Sequence, residues 1–96
     1  MVIMMNEFGR CLTTREAGRE AYTTIKDAMS STSGKIAFDF SGVDMITNSF
    51  ADEVFGRLVA EMGFDRFKSR STFASISGLW AKVVRVAMDS RAAQLA

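Results

Sequence analysis

Histidine is missing from this sequence, and cysteine occurs once, at Cys11. Without histidine the chain lacks the commonest general base and the commonest metal ligand. No Ser-His-Asp or Cys-His catalytic arrangement can be assembled from its own residues. A lone cysteine cannot build an internal disulfide framework, fits a reducing compartment, and without a partner points to no redox chemistry. Proline is also missing and there are only 7 glycines, while 48% of the residues are hydrophobic and 24% charged. That composition predicts a packed core and excludes intrinsic disorder. Charge of either sign is scarcely in excess: 12 Lys and Arg against 11 Asp and Glu leave a net +1. No global field favours nucleic acid or an anionic membrane. No apolar run approaches the roughly 18 residues of a membrane-spanning helix. The opening Met1-Val2-Ile3-Met4-Met5 has no basic leader and is shorter than a signal peptide, so a cytoplasmic protein is expected. Ninety-six residues fit one domain, 1–96, with no room for a second core.

What is present centres on Lys35 to Met62. Ile36, Ala37, Phe38 and Phe40 form a short apolar run rich in strand formers, fenced by Gly34 and by Ser41-Gly42, and read as a buried strand. From Phe50 the period becomes helical. Phe50, Val54, Phe55, Leu58, Val59 and Met62 fall on one side, with Asp52, Glu53, Arg57 and Glu61 on the other. Between them, Val43 to Asn48 reads as a loop that dips into the core with Met45 and Ile46 and surfaces at a polar helix start.

The flanks repeat the alternation. Val2 to Met5 predicts an edge or central strand, and Asn6 to Leu12 a connection whose Phe8 and Leu12 tuck under the next helix. Thr13-Thr14-Arg15-Glu16 fits a capping box, with the Thr13 hydroxyl accepting from the N–H of residue 16 and Glu16 reaching back. The helix it opens carries an apolar stripe of Ala17, Ala21, Ile25 and Met29, with Tyr22 and Ala28 beside it. Ser30 to Gly34 ends it. Gly63 stands where a C-terminal cap belongs, and Phe64 to Phe67 reads as a loop with two aromatic anchors. A last, short strand is expected at about Thr72 to Ile76. Gly78 then opens a helix striped by Leu79, Val83, Val86 and Ala87 and widened by Trp80 and Val84, with Lys82, Arg85, Asp89 and Arg91 outward and a tail that frays beyond Ser90. The predicted fold is α/β, a small single-layer, mostly parallel or mixed sheet flanked by about three helices. In such sheets sites gather where strands end and helices begin.

At that junction, Asp39-Phe40-Ser41-Gly42-Val43-Asp44-Met45-Ile46-Thr47-Asn48-Ser49-Phe50, with the helix through Gly56-Arg57-Leu58, resembles the central motif of the STAS domain. That fold is shared by anti-sigma factor antagonists and sulfate transporter tails. Ser49-Phe50-Ala51-Asp52-Glu53, preceded by Thr14-Arg15-Glu16, resembles more closely the STAS-like domains of unknown function found in bacteria. The likeness spans about Thr13 to Arg91. It implies a non-enzymatic regulatory module in the style of the antagonists, docking a GHKL-type ATPase or anti-sigma-like kinase through the 47–53 helix start. It leaves self-association open. The departures matter. Where the phosphorylated antagonists carry Asp, an acceptor Ser, a second hydroxyl and Gly, this chain has Thr47, Asn48, Ser49 and Phe50, so a phosphoswitch does not carry over residue by residue.

The candidate partner-binding or phospho-acceptor residues are therefore Thr47, Asn48, Ser49, Phe50 and Asp52. Each also has a plainer role. Asn48 and Ser49 are favoured helix caps, Ser49 pairing with Asp52 as a capping box, so that its hydroxyl would be engaged with the N–H of residue 51 or 52. Phe50 would anchor the first turn to the core. Asp39 and Asp44 read as turn residues. Arg66, Lys68, Arg70, Lys82, Arg85 and Arg91 read as a solvated basic face, with no nucleic-acid motif beside them. The alternative function is a small nucleotide- or anion-binding module using the same helix N-terminus. It lacks a Gly-rich phosphate cradle. No cofactor or metal is called for.

Overall fold

The structure, a computed structural model, describes residues 1–94. Strand β1 (Val2–Met4) passes through a 3-10 turn, Met5–Phe8, into a two-residue strand β2 (Cys11–Leu12) and helix α1 (Arg15–Ser30). Strand β3 (Ile36–Asp39) is followed by a second two-residue strand, β4 (Met45–Ile46). A helical rod then comprises α2 (Asn48–Ala51), a π-helical segment (Asp52–Gly56) and α3 (Arg57–Met62). Helix α4 (Phe64–Arg70), strand β5 (Ser71–Ala74) and helix α5 (Gly78–Gln94) complete the order. The strands form two sheets, β1-β3-β5 with β3 in the middle and β2-β4, and both are parallel throughout. The predicted α/β layer is thus present, parallel rather than mixed.

Alternation along β3 sets the layering. Ile36 and Phe38 are fully buried, whereas Ala37 and Asp39, which alternate with them, are only half-buried, as expected of a pleat with one face under the helices. Register places Ile3, Phe38 and Phe73 side by side. Above them the rod packs between α1 and α5. Phe38 and Phe40 from β3, Phe55 from the π segment, Phe67 from α4 and Phe73 from β5 converge in one aromatic cluster, with the Phe38 and Phe55 rings edge-to-face at 5.2 Å. Helix α1 buries Ala21, Tyr22, Ile25 and Met29, the stripe that periodicity predicts.

Several expectations require correction. The first helix is capped by Thr14, whose Oγ1 accepts from the Ala17 N–H at 3.0 Å, and not by Thr13. Phe64 to Phe67 is helical, not a loop. Gly63, at φ +88°, donates its N–H to the Val59 carbonyl at 2.8 Å and lets the chain start α4 at once. Of the loop pair, Ile46 enters the core but Met45 is 44% exposed, because both lie in a strand and point to opposite faces. The last strand begins one residue early, at Ser71, and forms a sheet edge. Helix α5 continues past Ser90 to Gln94, and residues 95–96 of the expected fraying tail lie outside those described. Two of the supposedly solvated cations are structural. Arg70 Nη2 donates to the carbonyls of Met29, Thr32 and Gly34, closing the end of α1 onto α4, and Arg91 is held by Asp52.

Candidate functional site

The junction of β4 and the rod is built from a repeated device. Strands β2 and β4 pair in parallel, Cys11 with Met45 and Leu12 with Ile46, so the threonines that follow them leave the sheet side by side. Thr14 starts α1, and Thr47 starts the rod. The Thr47 Oγ1 accepts from the Phe50 N–H at 3.5 Å and donates to the Thr13 carbonyl at 2.9 Å, tying one helix start to the other. Ser49 is therefore not the cap. It stands half-buried inside the first turn, and the predicted Ser49–Asp52 capping box does not form because Asp52 is engaged elsewhere.

This reassignment makes a measurable difference. Thr47→Ala is expected to lower stability by about 1–2 kcal/mol, a cap plus a part-buried hydrogen bond. Ser49→Ala should stay within about 0.5 kcal/mol of the parent. Urea titration of both variants checks this, and a larger loss from Ser49→Ala than from Thr47→Ala would reverse the assignment.

Phe50 is fully buried and anchors the turn as expected, so its side chain faces the core and not a partner. Asn48 is exposed. Asp52 lies half-buried between the neighbouring helices. Its carboxylate accepts from Arg91 Nε at 2.8 Å and Nη2 at 3.1 Å, and from Arg15 Nη1 at 2.9 Å, while Glu53 takes the same Arg15 at 3.1 Å. The Arg91 guanidinium, against the opposing effect of burial and with help from Arg15, holds the Asp52 carboxyl below its ordinary range. Asp52 is thus a clamp joining α1, the rod and α5. Nearby, Asp39 accepts from the Ser41 N–H at 2.8 Å, which lowers its own pKa and shapes the Ser41-Gly42 turn, and Asp44 pairs with Arg10 at 2.9 Å. Asp39, the last residue of β3, caps the turn that follows, and Asp44 lies in the loop before β4.

The structure adds a neighbour that periodicity misassigned. Leu79 and Val86 belong to the expected core stripe of the last helix, yet they are 63% and 48% exposed; Val84 and Ala87 of that stripe do face inward, joined by Met88. With Val83 and Lys82, Leu79 and Val86 meet Asn48 around a shallow depression of about 260 Å3. The candidate site is therefore two-sided, a helix start on one flank and an apolar helix face on the other. A run of apolar residues on nearly every side of α5 was the available signal. Among the described residues no group of three or more His, Cys, Asp or Glu side chains could hold a metal ion, and no helix is long and apolar enough to cross a membrane.

No curated protein and no solved structure matches this chain. Residues 17–78 match the family described as "STAS-like domain of unknown function (DUF4325)", a span that runs from the first turn of α1 through the whole β4–rod junction to the first residue of α5. The chain belongs to that family of STAS-like domains.

Proposed function

We propose that this chain is a non-catalytic interaction module that receives a regulatory protein on the two-sided surface of Asn48 and α5. The observation that carries the reading is a pair of exposed apolar side chains, Leu79 and Val86, grouped with the half-buried Val83 around the start of the rod rather than scattered. STAS-type modules act through protein contacts, and the resemblance to anti-sigma factor antagonists makes a GHKL-type ATPase or anti-sigma-like kinase the partner class. Ser49, which does not cap the rod, follows Asn48 directly and offers such a kinase a hydroxyl; a phosphate on it would stand at the positive end of the rod. Cytoplasmic placement accompanies this reading.

The anion-binding alternative draws less support from the site. Arg15 is committed to Asp52 and Glu53, and those two carboxylates stand within two turns of the rod's start, where an incoming anion would meet negative charge. Among the described residues Lys82 is the one cation that lines the depression.

Leu79→Asp and Val86→Asp test the surface, since both residues are exposed and their replacement leaves the core untouched. Binding of the purified GHKL-type ATPase from the source genome, measured by biolayer interferometry, should weaken by at least about tenfold in the double variant. Undiminished binding would remove α5 from the interface. Intact-mass analysis after incubation with the ATPase and ATP reads the second element: a phosphate on Ser49 supports its role as acceptor, and a phosphate mapped elsewhere removes it.

A further inference from the structure

A second cavity, of about 290 Å3, lies between α4, β5 and α5 and shares no residue with the surface just described. Phe64, Phe73, Ile76, Ala81, Val84 and Met88 supply its walls. The one hydroxyl in the lining, on Ser71, is spent donating to the Phe67 carbonyl at 2.8 Å. The interior is thus suited to hydrocarbon, and its size sits near the lower end of the roughly 300–1,000 Å3 usual for small-molecule pockets. The rim is different. Lys68 Nζ and Arg85 Cζ approach the same ring, that of Phe64, at 6.0 and 5.9 Å, so two cations converge there. Among the described residues only one carboxylate answers them: Asp89 pairs with Arg85 at 3.2 Å, while Asp65, one turn before Lys68 on the same helix, forms no ion pair with it. An apolar chamber with an uncompensated ammonium at its edge is complementary to a molecule with a hydrocarbon tail and a single anionic head.

We propose that this cavity binds a free single-chain carboxylate of the medium-chain fatty acid class, its tail among Phe73, Ile76, Val84 and Met88 and its carboxylate on Lys68. The ammonium of Lys68 donates to the head, and Arg85 adds charge without leaving Asp89. Tail burial sets affinity and Lys68 sets the preference for an acid over an alcohol.

Octanoate, 1-octanol and butyrate, each titrated below its aggregation limit into the isotopically labelled full chain and followed by amide NMR shifts, test this directly. Octanoate should produce saturable shifts at the lining residues, tightening by about fourfold for each methylene gained from hexanoate upward, while butyrate should produce none. Lys68→Met should weaken octanoate by about tenfold and leave octanol unchanged. Ala81→Leu, which fills the chamber, should weaken both; should that variant not fold, Lys68→Met, at an exposed position, carries the test alone. Three results would overturn the proposal: no saturable shift, shifts confined to residues outside the cavity, or equal affinity for octanoate and octanol in the parent and in Lys68→Met.

Discussion

Phe55→Ala is expected to cost about 3–5 kcal/mol of unfolding free energy, the range for removing a buried aromatic ring. No other ring is so placed. Phe55 comes off the π segment and meets Phe38 at 5.2 Å, Phe73 at 5.3 Å, Phe40 at 6.2 Å and Phe67 at 6.4 Å, so it links the central strand β3, the edge strand β5 and α4 at once. Losing it leaves a void bounded by β3, β5 and α4, and also removes edge-to-face contacts worth about 0.5–1.5 kcal/mol each beyond buried area. Domains of this size are stable by about 5–15 kcal/mol. The variant should therefore melt more than about 10 °C below the parent. Phe73→Ala, at a half-buried ring, should cost distinctly less. Equal losses from the two in urea titration would show that the cluster has no centre at Phe55.

Gly18→Val should cost about 2–3 kcal/mol, and Gly18→Ala should destabilise as well, against the trend of helices. In an exposed helix interior Gly→Ala gains roughly 1 kcal/mol. Here a β-carbon on residue 18 would stand 2.8 Å from the Glu53 Cβ and 3.3 Å from the Phe50 carbonyl oxygen. Neither can swing aside as a side-chain tip would, so α1 must lift from the rod. That movement also strains the Arg15 contacts to Asp52 and Glu53, one turn away. The readout is the sign. A Gly18→Ala variant more stable than the parent in thermal melts would mean that the two helices have slack between them.

Much of this architecture could be read from the chain. The stripe on α1, the buried strand at Ile36 and the helix opening at Gly78 all announce themselves through period or punctuation. The failures are specific. Strands β2 and β4 have two residues each, too few to display alternation. Thr13 and Thr14 are chemically equivalent caps, and the Thr13 carbonyl is occupied by Thr47, 34 positions along the chain. Helix α4 offers only Phe64 and Phe67 as a helical signature in seven residues. On α5, apolar residues on almost every side made the inward face ambiguous, and packing against the rod kept Val84 and Ala87 of the expected stripe, added Met88 and left Leu79 and Val86 outside. The strand-to-helix junction that holds the candidate site was legible as a stretch. Its chemistry was not legible, because the partners of Asp52 come from Arg15 and Arg91 at opposite ends of the chain, and the π segment that presents Asp52 to both has no compositional mark.

The parallel pairing of all five strands has a kinetic side. Hydrogen-bonded partners in every ladder are about 35 positions apart in the chain, and no hairpin offers a local start. An unfolded chain must close a long loop before any ladder bond repays it, and that loop is the one that contains a helix. Nucleation therefore falls to a helix docked on two strands, with α1 and the Phe38–Phe55 contact the elements best placed to form it. Since the chain has no proline, the slow phase that peptide-bond isomerisation imposes on many small proteins has no source here. Loop closure alone sets the pace at which the two threonine-capped helix starts come to lie side by side.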